Sequence, residues 1–283
     1  MNECYLCGGT EFSKRPGSVR DNLELEILEC TSCGLVFLSS FAHIKDGFYE
    51  ESGMWGENEL PTEYWSAITA WDDERRFQYL KAVLPQCKLL DFGCGVGGFL
   101  IKAKKLAATV HGVELESRLK SYFQNYGLTV FQNVSDIQDE RYVIITMFNV
   151  LEHIADPRVL LDDLSKLLSD DGQIIIEVPN GNEALITLYQ CESFSHFIHW
   201  SAHLFLYTEK TLQLLFDQVN LKVNYIKQIQ RYSLANHLHW LAKGKPGGHQ
   251  KWHFLDTPEL HTAYEKQLAS IGKCDTIIAS ISR

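Results

Sequence analysis

Four of the eight cysteines stand in two matched pairs near the start of the chain. Cys4 and Cys7 form one C-x-x-C pair, Cys30 and Cys33 form the other, and a glycine follows each pair. Each pair can turn two thiolates towards one ion, and four sulfur ligands are typical of a closed, tetrahedral structural Zn²⁺ site. An iron centre of the rubredoxin type and a pair of redox dithiols are the competing interpretations.

A glycine-rich turn after an apolar run is the second group of residues whose types and spacing indicate a chemical function. The run Leu89–Leu90 leads into Asp91, and Gly93, Gly95 and Gly98 have the G-x-G-x-x-G spacing of a nucleotide-binding turn. Glycines at these positions let a ligand approach the backbone closely. A carboxylate at Asp91 would repel a pyrophosphate and attract an ammonium group, such as the amino-acid end of S-adenosylmethionine (SAM).

An acidic residue ends the next apolar run. Glu114 follows Val110–Val113, and a carboxylate at that place can accept hydrogen bonds from both hydroxyls of a ribose. Glu114 fits NAD and SAM equally, so an NAD-dependent enzyme stays open as an alternative, although Asp91 disfavours it.

Four segments in order along the chain resemble the motifs of class I SAM-dependent methyltransferases. Asp91–Gly97 resembles the first motif and His111–Glu114 the acidic motif that follows it. Phe148–Pro157 resembles the segment after the fourth strand of this family, and Asp171–Asn180 resembles its fifth strand. The resemblance covers residues 86–230.

The resemblance implies which residues would hold the cofactor SAM. Those at the glycine turn would contact its methionine end, Glu114 its ribose, and residues after the third strand its adenine. The implied cofactor-binding residues are Asp91, Phe92, Gly93, Cys94, Gly95, Gly97, Glu114, Asn133, Val134, Asn149 and Leu151. Cys94 would be a small residue that fits the turn and not a nucleophile, because methyl transfer from a sulfonium needs no covalent intermediate.

Two histidines are the candidates for catalysis by proton removal. The cysteine-rich start resembles that of sugar-modifying methyltransferases, some of which methylate carbon and carry a Tyr-x-Glu-His cluster. This chain has Trp200, Ala202 and His203 at the matching places, so only the histidine is kept. We therefore expect His203, or His153, to act as general base for methylation of an oxygen more readily than of a carbon. A glycine-rich stretch at 244–249 is a candidate phosphate cradle, with a plain surface loop as the alternative.

The elements that must position these groups follow from the hydrophobic pattern. Seven short apolar runs between residues 88 and 281 alternate with amphipathic stretches, which predicts an α/β fold with a doubly wound, mainly parallel seven-stranded sheet. The clearest helix is predicted over Asp156 to Leu168, with Asp156 as its cap, Pro157 in its first turn and Asp171–Gly172 as the stop signal after it. The predicted domains are a zinc-binding segment (1–40), a helical and aromatic linker and lid containing Trp55 (41–85), and the catalytic domain (86–283). Substrate-cap insertions are expected at 181–207 and 231–262.

The charge balance limits the partners. The net charge is −10, and residues 1–40 hold three basic against six acidic side chains, so we expect no nucleic-acid partner. No apolar run is long enough for membrane insertion, and the first residues do not resemble a signal peptide, so a cytoplasmic location is expected. The predicted function is methyl transfer from SAM to a sugar, nucleotide-linked sugar or related small metabolite. A zinc-ribbon interaction module without catalysis is the remaining alternative.

Overall fold

A computed structural model describes residues 2–45, 47–49 and 60–283. Trp55 of the predicted linker lies outside the described residues. The chain forms two compact units. One comprises Met1–His43, Leu151–Ala155 and Glu177–Ala279, and the other comprises Ile44–Val150, Asp156–Ile176 and Ser280–Arg283.

The strands of the described residues belong to two sheets. In chain order they are β1 (Phe12–Lys14), β2 (Ile27–Cys30), β3 (Val36–Leu38), β4 (Lys88–Phe92), β5 (Thr109–Val113), β6 (Thr129–Phe131), β7 (Tyr142–Phe148), β8 (Leu168–Pro179), β9 (Phe205–Leu206), β10 (Lys222–Ile229) and β11 (Thr276–Ser282). The helices are α1 (Thr62–Leu80), α2 (Gly98–Ala103), α3 (Lys120–Asn125), α4 (Pro157–Lys166), α5 (Ala184–Thr187), α6 (Glu192–Ile198), α7 (Glu209–Gln218), α8 (Leu234–Lys243), α9 (Gly248–Lys251) and α10 (Pro258–Ser270).

The larger sheet confirms the predicted fold class. It has seven strands in the order β10-β11-β8-β7-β4-β5-β6. Strand β4 pairs in parallel with β5 and β7, and β5 pairs in parallel with β6. The register places Asp91 of β4 opposite Gly112 and Thr146, so the end of β4 lies between two other strand ends. In an open parallel sheet this is the edge where ligands bind.

Helix α4 begins where the sequence predicts and ends earlier. The Asp156 side chain accepts a hydrogen bond from the backbone N–H of Val159, and Pro157 occupies the first turn. The helix stops at Lys166, two residues before the predicted last residue, Leu168. The predicted stop signal at Asp171–Gly172 is wrong, because β8 begins at Leu168 and runs through Gly172. A Cβ atom on Gly172 would lie 2.8 Å from the carbonyl oxygen of Tyr142, so this glycine allows close strand approach.

The smaller sheet contains the cysteine-rich start of the chain. Its antiparallel order is β1-β2-β3-β9. Its last strand comes from the insertion at 181–207, where Leu206 pairs with Val36 and Phe205 with Phe37. The two expected insertions also share apolar contacts, because Leu185, Phe194 and Trp240 form one buried cluster. Within the described residues, no helix has the length and hydropathy needed to cross a membrane.

Candidate functional site

The glycine turn joins β4 to α2 and is held against the end of β5. The backbone N–H groups of Gly93 and Cys94 both donate to the carbonyl oxygen of Val113, at 2.8 and 3.1 Å. Gly93 and Gly95 have φ angles of 70° and 53°, a region that side chains rarely adopt. Gly97 is also left-handed and is the residue that precedes α2, at its N-cap. The turn therefore needs its glycines for conformation as well as for space.

Side chains from outside the motif pack onto the turn. A Cβ atom on Gly93 would overlap Val150, and one on Gly95 would lie 3.0 Å from Cζ2 of Trp65. Trp65 belongs to α1, so this helix covers the glycine turn. The sequence contains Trp65 in a region that we predicted only as linker and lid.

Asp91 lies beneath the turn with 4% of its surface exposed. Its Oδ1 atom accepts a hydrogen bond from the Thr146 hydroxyl at 2.7 Å. Burial raises the pKa of Asp91 to about 7, against the lowering effect of Thr146 and of the nearby Arg76. A ligand that brings a positive charge to this carboxyl would favour its ionised form.

Glu114 follows β5 and is fixed by two backbone donors. Its Oε2 atom accepts from the N–H of Gly95 at 2.8 Å, and its Oε1 atom accepts from the N–H of Glu116 at 3.0 Å. Burial raises the pKa of Glu114, and the two backbone hydrogen bonds oppose that rise. The acid and the glycine turn thus form one hydrogen-bonded structure, and each oxygen keeps a lone pair for a ligand hydroxyl.

A buried cation of the same unit was missed by the sequence analysis. Arg76 of α1 is 8% exposed, and its guanidinium lies 4.7 Å from the centre of the Phe148 ring. Its Nη1 atom is 4.0 Å from Oδ1 of Asp73, a buried acid that packs on Gly98. Arg76 lies in a helix that carries none of the motifs, so its position could not be predicted from their spacing. It adds a positive group to a region that otherwise holds Asp73, Asp91 and Glu114.

Asn149 provides the test of whether this region suits SAM. It has a φ of 55°, an unusual conformation for a residue with a side chain, directly after β7. Its Oδ1 atom is buried, and no described residue offers it a hydrogen bond. Such an atom is costly unless a ligand donor meets it. An ammonium group is a suitable donor, so the residues present fit the methionine end of SAM.

The other implied cofactor residues have different surroundings. Phe92 and Val134 are half-buried, Asn133 is exposed, and Leu151 is fully buried at the start of a short 3₁₀ turn. The backbone N–H of Asn133 donates to Asp136, which orders the turn after β6. Burial raises the pKa of the Cys94 thiol well above its ordinary value, which agrees with a packing role and not with a nucleophile.

His153 and His203 lie together in the other unit, with ring centres 5.0 Å apart. The Nδ1 atom of His153 is 2.8 Å from the carbonyl oxygen of Ala202, and that of His203 is 3.1 Å from the carbonyl oxygen of Ile198. A carbonyl oxygen only accepts, so each Nδ1 carries a hydrogen and each neutral ring has its lone pair on Nε2. Burial lowers the pKa of His153 to about 4 and that of His203 well below its usual value.

A buried carboxylate accompanies the two rings. Glu152 is 1% exposed, and its Oε1 atom is 4.0 Å from Nε2 of His153. Together with His203 these residues offer three polar atoms within 4.8 Å of one another. Such a group can accept a proton, because a nearby carboxylate offsets the charge of the imidazolium that forms.

The four cysteines of the two C-x-x-C pairs form one cluster. All four sulfur atoms lie within 4.8 Å of one another, with Cys4 and Cys33 at 3.5 Å and Cys7 and Cys30 at 3.4 Å. The two turns have the same backbone hydrogen bond, from the glycine after each pair to the first cysteine. Zn–S bonds of about 2.3 Å in a tetrahedron place sulfur atoms about 3.8 Å apart, so this donor set fits a structural zinc ion.

A family described as "Methyltransferase domain" matches residues 57–226 of the chain. The chain belongs to this family. The match shows that the chain contains a methyltransferase domain.

Curated relatives are similar to parts of this methyltransferase. A ubiquinone biosynthesis O-methyltransferase of Actinobacillus pleuropneumoniae is 30% identical over 108 residues, which cover 33% of this chain and 46% of that protein. One of Hydrogenovibrio crunogenus is 24% identical over 182 residues, or 59% of this chain and 70% of the relative. The chain thus spans about half the length of the first of these relatives.

Solved structures support the fold of this methyltransferase. A SAM-dependent methyltransferase from Archaeoglobus fulgidus has a TM-score of 0.53 at 17% identity and covers 78% of this chain and 99% of its own. A magnesium protoporphyrin IX methyltransferase from Synechocystis, solved with bound SAH, has a TM-score of 0.51 at 13% identity, with coverage of 86% and 100%. Identities this low establish the shared fold alone.

The candidate phosphate cradle at 244–249 is part of a helix end in this methyltransferase. The N–H of Gly244 caps α8 by donating to the carbonyl oxygen of Trp240 at 2.8 Å. The N–H of Gly248 donates to Oδ1 of Asn236 at 3.1 Å. Two of the amides that a phosphate would require are therefore already used.

Proposed function

We propose that this methyltransferase transfers the methyl group of SAM to a hydroxyl oxygen of a small polar acceptor, with a sugar or nucleotide-linked sugar as the first class to test. The observation that carries oxygen as the target is the pair of half-buried, neutral imidazoles of His153 and His203, both with Nε2 lone pairs. A hydroxyl must lose a proton during methylation, and a neutral imidazole is a suitable acceptor for it.

The cofactor site would be the glycine turn with Asp91, Glu114 and Asn149. Asp91 and Asn149 would bind the ammonium group, the Glu114 carboxylate would accept the ribose hydroxyls, and Arg76 would attract the carboxylate of the amino-acid end. Asn133 and Val134 would line the remaining surface. When bound, SAM supplies a methyl carbon on a positively charged sulfur, which departs as a neutral thioether and needs no acid.

Proton removal would be the task of His203 with His153. The Nδ1 hydrogen bonds to Ile198 and Ala202 hold each ring in the tautomer whose Nε2 can accept a proton. Because burial makes a protonated ring costly, the imidazole would take up the proton at the same time as the acceptor oxygen forms its bond to the methyl carbon. The carboxylate of Glu152 would lower that cost for His153.

The four-cysteine cluster would bind one zinc ion with a structural role. All four positions of a tetrahedral ion would be filled by protein sulfur, which leaves no place for substrate. We therefore assign no chemical step to the metal.

A hydroxylated aromatic acceptor is the second candidate, because the curated relatives are named for ubiquinone biosynthesis. Incubation with radiolabelled SAM and two acceptor panels, sugars with nucleotide-linked sugars and hydroxylated benzoates with quinols, separates the two. Transfer to sugar hydroxyls alone supports the first class, and transfer to phenolic hydroxyls alone replaces it. Calorimetric titration with SAM and NADH side by side provides the control for the cofactor, and binding of NADH alone would contradict the proposal.

A further inference from the structure

The turn that carries His203 is held by Arg20 and Asp21, which belong to the four-cysteine segment (residues 1–40). Both carboxylate oxygens of Asp21 accept hydrogen bonds from Ser201: Oδ1 from its backbone N–H at 2.9 Å and Oδ2 from its hydroxyl at 2.6 Å. Burial would raise the pKa of Asp21, but the bonds from Ser201 and the charge of Arg20 hold it below its ordinary value. Asp21 is therefore a charged, two-point anchor for this turn at neutral pH.

Arg20 contacts residues 197–200, which precede Ser201 along the chain. Its backbone N–H donates to the carbonyl oxygen of His199 at 2.9 Å, and its guanidinium donates to the carbonyl oxygen of Phe197 at 3.2 Å. The same guanidinium lies 4.9 Å from the centre of the Trp200 ring and 5.4 Å from that of Phe197. This combination of stacking and hydrogen bonds uses the planar geometry of arginine, which lysine lacks.

The anchored residues are the ones that set the orientation of His203. Its backbone N–H donates to the carbonyl oxygen of Trp200 at 2.9 Å, and its Nδ1 bonds to the carbonyl oxygen of Ile198. The Trp200 ring is packed 5.6 Å from the His203 ring, centre to centre. A shift of residues 198–200 would therefore rotate the imidazole and weaken the bond that fixes its tautomer.

We propose that Arg20 and Asp21 are positioning residues for His203, through which the four-cysteine segment orders the acceptor side of the enzyme. The inference rests on the proposed function only in the role given to His203. The segment would thus serve catalysis without touching substrate.

The test uses the 283-residue protein, purified with added zinc and labelled with ¹⁵N, and needs no acceptor. In Asp21→Ala we expect amide hydrogen exchange at Ser201 and His203 to become about 10- to 100-fold faster, since two hydrogen bonds to a charged group are lost. The imidazole ¹⁵N shifts of His203 should move towards averaged tautomers. Asp21→Asn should restore the exchange rates to within about threefold of the parent and return the His203 shifts towards the parental values. The reason is that the amide oxygen accepts from the Ser201 N–H and its NH₂ group donates to the Ser201 hydroxyl.

Control variants separate this role from a general loss of structure. Glu24→Ala removes an exposed acid of the same segment and should change neither readout. Zinc content by elemental analysis and SAM affinity by calorimetry should match the parent in every variant. If Asp21→Ala fails to fold, Arg20→Met and Arg20→Lys replace it, and both should shift the His203 resonances.

Unchanged exchange at Ser201 and unchanged His203 shifts in these variants would overturn the positioning role. The proposed base fails separately, if His203→Asn transfers methyl groups at the parental rate while the Asp21→Ala exchange result stands. The two failures are therefore distinguishable.

Discussion

The carboxylate of Glu114 offers the sharpest test of the cofactor site, because both of its oxygens are committed to backbone N–H groups at 2.8 and 3.0 Å. Glu114→Gln keeps the shape of the side chain but places an NH₂ group where one oxygen was. That group must face the N–H of Gly95 or of Glu116, so one hydrogen bond is replaced by two opposed donors. Placed towards Gly95, the NH₂ group would shift the turn that binds the cofactor.

The magnitude follows from the type of bond lost. A hydrogen bond to a charged acceptor contributes about 1.5–3 kcal/mol. If the loss appears in cofactor binding, the Kd for SAM rises about 10- to 150-fold. Isothermal titration calorimetry measures the Kd directly. Thermal unfolding shows how much of the lost free energy lowers the stability of the fold instead of the affinity for SAM.

Glu140→Gln is the matched control. Glu140 makes an exposed ion pair with Lys88 at 2.8 Å, so the substitution changes the net charge equally and should alter the Kd by less than about twofold. Equal SAM affinity in the Glu114 and Glu140 variants, with both folded, would refute the placement of the cofactor at this turn.

Four further outcomes are expected. Burial raises the pKa of Asp91 to about 7 from an ordinary value of 3.8, so the native chain holds a proton that the unfolded chain has released. The free energy of unfolding should therefore fall as the pH rises through this interval, and Asp91→Asn should reduce that slope in urea titrations. Gly93→Ala combines a positive φ with overlap on Val150 and should weaken SAM binding at least about tenfold by calorimetry, whereas an unchanged Kd would contradict the turn geometry. Cys33→Ser should lower the bound zinc measured by elemental analysis together with the melting temperature, and a parental zinc content would exclude a four-sulfur site. His203→Asn should slow methyl transfer about 10²- to 10⁴-fold while leaving SAM affinity within about twofold, and a parental rate would remove His203 as base.

The sequence predicted those parts of the fold that rest on local pattern. The seven apolar runs identified the seven strands of the larger sheet, and the Asp156–Pro157 pair marked the start of α4. Gly172 was interpreted wrongly as a helix stop, because a glycine that ends a helix and one that permits close strand approach look the same in sequence. Only the carbonyl oxygen of Tyr142 beside it distinguishes them.

The candidate site was predictable where its residues belong to recognisable motifs and not where they come from elements without one. Asp91 and Glu114 were predicted because each stands at the end of an apolar run, in a motif with a known spacing. Trp65 and Arg76 reach the same region from α1, whose pattern gives no indication of what its inner side chains contact. Strand β9 was missed because two residues are too few to show a period.

Strand β9 also has a consequence for how the protein is made. Val36 and Phe37 are 1% exposed in the native sheet, and their strand partner on the side opposite β2 is Phe205–Leu206. During synthesis the ribosome must add all the intervening residues before β3 acquires this neighbour, so a nascent or truncated four-cysteine segment exposes an apolar strand edge. Such an edge promotes aggregation. Binding experiments with that segment alone would then report non-specific association instead of specific recognition of a partner.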